Sequence, residues 1–107
     1  MKRYGRVLGL PPEHLAEYTR LHAAVWPEVL ATIHACNIRN YSIFYRDGLL
    51  FAYFEYHGDD FAADMAKMAA DPKTQQWWAI NEPLQRQLPD AKPGQWWSDA
   101  VEVFHTD

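Results

Sequence analysis

Between residues 13 and 36, apolar side chains recur at intervals of three and four residues, the spacing of neighbours on one face of a helix. The pattern predicts one long helix, which starts after Pro11-Pro12. Pro27 has no amide hydrogen and disfavours the helical region for the residue before it, so we expect a kink just past His22. The residues on this apolar face are Leu15, Tyr18, His22, Val25 or Trp26, Val29 and Ile33.

Alternation of apolar and polar residues predicts strands at residues 3–10, 38–46, 49–57 and 100–104. Asp47-Gly48, between the second and third strands, is a strong two-residue hairpin turn. Helical spacing returns at residues 61–70, where Asp59 has the position of an N-cap, and at residues 74–87, where Pro83 interrupts the helix.

The order strand, helix, strand, strand, helix, strand is the βαββαβ pattern of the ferredoxin-like fold, an α+β domain with helices on one face of an antiparallel sheet. Residues 1–107 show no linker or internal repeat, so we expect a single domain. The uncovered sheet face predicts a homodimer of the dimeric α/β-barrel type, since pairing across a two-fold axis would cover it. A cavity between the long helix and the sheet, or near the subunit boundary, is the expected functional site.

Composition narrows the functional classes. Aromatic residues make up 15% of the chain, so we expect some of them to line a pocket or an interface. A net charge of −4 argues against nucleic acid as a partner, because duplex-binding proteins normally carry a basic patch. The chain has no apolar run of ~18 residues and no export signal, so we expect a cytoplasmic protein with no membrane partner. The single cysteine, Cys36, can form no internal disulfide.

Tyr18, His22 and Trp26 place a hydroxyl, a titratable nitrogen and an aromatic face in one line on the predicted helix. A histidine in an apolar stripe is usually an ordinary half-buried residue. This combination, however, also suits a polar small molecule with a hydrophobic side, such as a sugar. The other histidines lack the spacing typical of a metal site.

Four motifs follow one another along the chain. They are Tyr18-x3-His22-x3-Trp26-Pro27-Glu28, then Asn40-Tyr41-Ser42-Ile43, then Trp77-Trp78, and finally Glu102-Val103-Phe104. Together they resemble the L-rhamnose mutarotases over essentially the whole chain. The resemblance implies a dimeric isomerase that interconverts the α and β anomers of L-rhamnose, ahead of rhamnose catabolism, without metal or organic cofactor. It also implies that His22 is the proton donor and that the substrate-binding residues are Tyr18, Tyr41, Trp77 and Trp78.

Mutarotation opens the pyranose ring, lets the aldehyde carbon rotate and closes the ring on the other face. The ring oxygen must gain a proton while the anomeric hydroxyl loses one, which suits a group with a pKa near neutrality, such as histidine at ~6.5. The acceptor of the anomeric proton stays open among a tyrosine hydroxyl, a carboxylate such as Glu102 or Glu28, and a water molecule.

Other interpretations remain. Nothing in the residues distinguishes L-rhamnose from L-fucose or another 6-deoxy sugar, and residues 91–99 match the family pattern least well. Ferredoxin-like dimers also include cofactor-independent and haem-degrading monooxygenases and non-catalytic ligand-binding modules. Adjacent helical residues point about 100° apart. In an equally simple interpretation, one of Trp77 and Trp78 packs in the core and the other lies at the dimer interface. We assign Trp96-Trp97 to packing or an interface.

Overall fold

The computed structural model describes every residue from Met1 to Asp107. The chain has four strands and four α-helices, with short 3₁₀ turns at Pro12–His14 and Glu82–Leu84. In chain order the elements are β1 (Lys2–Gly9), α1 (Leu15–His22), α2 (Pro27–Ala35), β2 (Ile38–Arg46), β3 (Leu49–Tyr56), α3 (Phe61–Ala70), α4 (Pro72–Asn81) and β4 (Ser98–Ala100). None of the helices is long and apolar enough to cross a membrane.

The four strands form one antiparallel sheet in the order β2-β3-β1-β4. The predicted α+β class is therefore confirmed, with a four-stranded antiparallel sheet and two pairs of helices. The hairpin between β2 and β3 turns at Asp47 and Gly48, which both have positive φ angles of 50° and 82°. That backbone twist matches the twist of the flanking strands.

The helices cover one face of this sheet. Along β3 the side chains alternate, and those facing the helices are buried. Leu50 packs with Leu8, Leu10 and Tyr18 in one core cluster. Ile38, Phe54 and Tyr56 form a second cluster beneath side chains of α2 and α3. On the opposite face Phe51 is 39% exposed and Phe44 is 65% exposed, as expected for a face without helices.

The predicted long helix is two helices. Instead of a kink, the chain breaks after His22, and Trp26 adopts an extended conformation with φ −62° and ψ 137°. The residue before a proline is pushed out of the helical region, and Pro27 is well placed in the first turn of α2. The break leaves His22 as the last residue of α1.

Three further boundaries differ from the prediction. The helix predicted at residues 74–87 is α4 (Pro72–Asn81), and Pro83 lies in the 3₁₀ turn that follows it. Asp60, not Asp59, caps α3, because its side chain accepts a hydrogen bond from the amide of Ala63. The last strand covers Ser98–Ala100 instead of residues 100–104, and pairs only with Gly5, Arg6 and Val7. Beyond it, Glu102 reaches β1 through its side chain and not through the backbone ladder.

Candidate functional site

A cleft of about 300 Å³ lies between α1 and the edge strand β2. Its volume is at the lower end of the range for small-molecule sites. The sheet supplies an apolar wall, and α1 supplies the polar groups through Tyr18, Thr19 and His22. The full lining is Leu15, Tyr18, Thr19, His22, Ala23, Ile43, Phe44, Tyr45 and Leu50.

Tyr18 and His22 are one helical turn apart, and their rings stack with centroids 4.0 Å apart and planes 26° apart. Tyr18 is only 5% exposed. Burial, reinforced by the nearby Tyr41 phenol, raises the pKa of Tyr18 to about 12. The Tyr18 hydroxyl therefore keeps its proton near neutral pH, and it is a hydrogen-bond donor there and not a base.

The His22 imidazole has its tautomer set by the backbone. Its Nδ1 lies 2.8 Å from the carbonyl oxygen of Tyr18. A carbonyl oxygen only accepts, so Nδ1 carries the hydrogen and Nε2 is left with a free lone pair in the neutral ring. Burial lowers the pKa of His22, and the backbone hydrogen bond opposes this shift only in part. At neutral pH the ring is uncharged, with Nε2 as a proton acceptor.

Trp77, on α4, packs against the His22 imidazole. It is 6% exposed, and its indole meets the His22 ring edge to face, with centroids 5.3 Å apart. Trp26, placed by the break before Pro27, also meets Trp77 edge to face, with ring centroids 5.3 Å apart. The structure thus brings Trp77 to His22. Trp78 is half-buried and takes part in none of these ring contacts.

Tyr41 lies on β2, within a β-bulge between Arg39 and Ser42. Asn40, within the bulge, has a positive φ of 51°, a conformation that asparagine adopts more readily than most residues. The Tyr41 ring meets Phe54 edge to face at 5.5 Å, so it points to the helix-covered side of the sheet. It remains 41% exposed and is not part of the cleft lining described above.

The sequence did not predict two residues of the site, Gln85 and Trp96. Gln85 is 7% exposed, and its Nε2 donates to the Tyr18 hydroxyl over 3.4 Å. The indole Nε1 of Trp96 donates to the Gln85 Oε1 over 2.7 Å. Trp97 packs against the first core cluster, as the packing assignment predicts, but Trp96 is linked to Tyr18 through Gln85. No motif or periodicity marks Gln85, and only the neighbouring pair of tryptophans hinted at a role for this loop.

Neither carboxylate considered as a proton acceptor reaches the cleft. Glu102 is paired with Arg3 at 2.7 Å, and this bond lowers the pKa of Glu102. Glu28 is exposed in the first turn of α2. The chain contains no group of three or more histidine, cysteine or acidic side chains that could hold a metal ion. The cleft offers the neutral imidazole nitrogen of His22 and the phenolic donor of Tyr18 against a largely apolar wall.

Comparison with known proteins identifies the family of this chain and supports its fold. A family model described as L-rhamnose mutarotase matches residues 3–106. The chain is 33% identical to an L-rhamnose mutarotase of Oceanobacillus iheyensis, over the full length of both proteins. It is 36% identical to an L-fucose mutarotase of Xanthomonas campestris, over 84% of this chain and 74% of that protein.

Among solved structures, an L-rhamnose mutarotase of Formosa agariphila superposes with a TM-score of 0.79 over the whole of both chains. The two sequences are 23% identical, so this likeness supports the fold alone.

Proposed function

This chain belongs to the L-rhamnose mutarotase family, and on that premise we propose that it interconverts the α and β anomers of L-rhamnose. Membership makes it an isomerase of rhamnose metabolism. The observation that carries the substrate assignment is the full-length match, at 33% identity, to an L-rhamnose mutarotase.

In the mechanism we propose, His22 moves the proton. Its neutral Nε2 takes the proton from the anomeric hydroxyl, and the imidazolium formed gives that proton to the ring oxygen as the bond from that oxygen to the anomeric carbon breaks. The aldehyde carbon then rotates, and the same steps in reverse close the ring on its other face. His22 is thus the proton donor that the family resemblance implies, and it also fills the open role of base. The lowered pKa and the Nδ1 hydrogen bond support this assignment.

Tyr18 would stabilise the charge that develops on the sugar oxygen by donating its hydroxyl hydrogen. A phenol with a pKa of about 12 stays neutral during the reaction and acts as a fixed donor. The apolar wall formed by Ile43 and Leu50 suits the methyl group of a 6-deoxy sugar. Trp77 holds the imidazole in place, and Tyr41, Trp77 and Trp78 stay predicted sugar contacts.

Saturation-transfer NMR tests the activity, because it measures exchange between anomers that are already at equilibrium. Catalytic amounts of protein should accelerate exchange of L-rhamnose, and no acceleration would refute the proposal. L-fucose is the second candidate substrate, since the Xanthomonas campestris relative is named for that sugar. Equal acceleration of anomer exchange for both sugars would show that the cleft does not discriminate between their ring configurations.

We further propose that the single domain of residues 1–107 works as a homodimer of the dimeric α/β-barrel type in the cytoplasm. Phe44 and Phe51 support this by leaving an apolar patch on the uncovered sheet face. Three side chains after β4 extend the exposed apolar surface, namely Val101, Val103 and Phe104, which are 86%, 93% and 78% exposed. Sedimentation velocity should give the mass of a dimer for the natural protein. A monomer at micromolar concentration would contradict this part of the proposal.

A further inference from the structure

Gln85 is a buried polar side chain with two side-chain partners. Its Oε1 accepts from the Trp96 indole at 2.7 Å, and its Nε2 faces the Tyr18 hydroxyl at 3.4 Å. An indole Nε1 can only donate, so the oxygen of the Gln85 amide must point to Trp96. The amide nitrogen is thereby turned towards Tyr18, and Gln85 can only donate to that hydroxyl.

We propose that Gln85, with its amide oriented by Trp96, is a positioning residue that holds the Tyr18 hydroxyl as a hydrogen-bond donor to the sugar. This inference rests on the function proposed above. A phenol has one hydrogen and two lone pairs. When Gln85 donates to the oxygen, the hydroxyl hydrogen is directed elsewhere, and a donor that also accepts is polarised into a stronger donor.

The segment that carries Gln85 is tied to the sheet at the next residue. Gly9 and Arg86 exchange two backbone hydrogen bonds of 2.7 and 2.8 Å. The approach requires a glycine, because a Cβ on residue 9 would lie 2.6 Å from the Arg86 carbonyl oxygen. The amide of Gln85 also donates to the Glu82 carbonyl at 3.0 Å, which closes the turn before it. These bonds fix the backbone from which the Gln85 side chain reaches Tyr18.

A bond of 3.4 Å is long for an amide donor to a hydroxyl. Such contacts in an unliganded site often tighten when the substrate is bound. Burial makes the bond matter, since Gln85 is only 7% exposed and little water can replace a lost partner there.

The test is a double-mutant cycle on anomer exchange with Gln85→Leu, Tyr18→Phe and the combined variant. Loss of one such hydrogen bond should lower kcat about tenfold, with a smaller change in KM, because the donor acts on charge that develops in the transition state. In the Tyr18→Phe background, Gln85→Leu should have less than about a twofold further effect, since the hydroxyl through which it acts is gone. Effects that multiply would overturn the inference.

Gln85→Met keeps the length of the side chain but removes the N–H donor to Tyr18. It should lose about as much kcat as Gln85→Leu, and wild-type kcat in this variant would overturn the inference even if Gln85→Leu did not fold. Gln75→Met is the matched control, because Gln75 is exposed and its side chain donates only to the carbonyl of Ala69. It should exchange anomers at the wild-type rate.

The exchange rate of the natural protein distinguishes a failure of the proposed function from a failure of the proposed role of Gln85. If it does not accelerate anomer exchange, the proposed function fails and the role of Gln85 fails with it. If it does and the cycle shows independent effects, only the role of Gln85 is overturned.

Discussion

Replacing His22 by alanine removes the only nitrogen of the cleft that can both take and give a proton near neutral pH. Positioned proton transfer contributes ~10²–10⁴-fold to a rate. We expect the His22→Ala variant to lose most of that factor in kcat. The loss should fall on kcat more than on KM, since Tyr18 and the apolar wall remain to bind the sugar.

The structure indicates that this variant still folds. His22→Ala loses one hydrogen bond, from Nδ1 to the Tyr18 carbonyl, which is worth ~1 kcal/mol. It also loses the ring contacts with Tyr18 and Trp77, worth another ~1 kcal/mol. A cost of ~2 kcal/mol is well below the ~5–15 kcal/mol that stabilises a typical domain. It corresponds to a drop of roughly 10 °C in Tm.

The assay combines saturation-transfer NMR of L-rhamnose with thermal unfolding of the same samples. His34→Ala is the control, because His34 is an exposed residue in the last turn of α2. It should keep both the wild-type exchange rate and the wild-type Tm. A folded His22→Ala variant with wild-type exchange would refute the proton-transfer role of His22.

The remaining predictions concern neighbouring groups. Tyr18→Phe should lower kcat about tenfold while the protein stays folded, and unchanged kinetics would show that the hydroxyl is idle. Enzyme-catalysed exchange should decline below pH ~6.5 as His22 takes up its proton, and a rate that rises on acidification would contradict a neutral catalytic imidazole. Because burial lowers the folded pKa of His22, the unfolded chain binds the proton more readily. The stability contribution is therefore complete above pH ~6.5 and lost below it, as pH-dependent Tm values should show. Gly9→Ala should cost ~1–3 kcal/mol, measured by urea unfolding, because its Cβ would collide with the Arg86 carbonyl.

Much of the fold follows from local chemistry in the sequence. Residues 38–46 were predicted as a strand from alternation, and β2 has those bounds. The turn at Asp47-Gly48 was predicted because few other residue pairs accept positive φ at both positions. Helix α3 has the predicted range, and its cap moved by one residue because neighbouring Asp59 and Asp60 are equally good caps by residue type.

Local sequence patterns predicted the structure less well where packing between distant parts of the chain sets the end of an element. Pro27 was correctly expected to disturb the first helix, but the size of the disturbance depends on what packs around it. In the structure Trp26 leaves the helix and contacts Trp77 on α4. The last strand pairs along three residues only, a limit set by where the loop after α4 returns to β1.

The candidate site likewise combines contacts set by local spacing with contacts set by the tertiary structure. The sequence by itself determined that Tyr18 and His22 share a helix face, because their spacing of four residues is a property of the helix alone. That spacing brings the two rings within reach of each other, and they stack at 4.0 Å. The tertiary structure alone decided that Trp77 and not Trp78 meets His22, and that Gln85, itself bonded to Trp96, reaches the Tyr18 hydroxyl. Gln85 lies 67 residues from Tyr18 in the chain. Periodicity reports only neighbours within a few residues, so a contact at that separation is set by the path of the whole chain and by the core that fixes it.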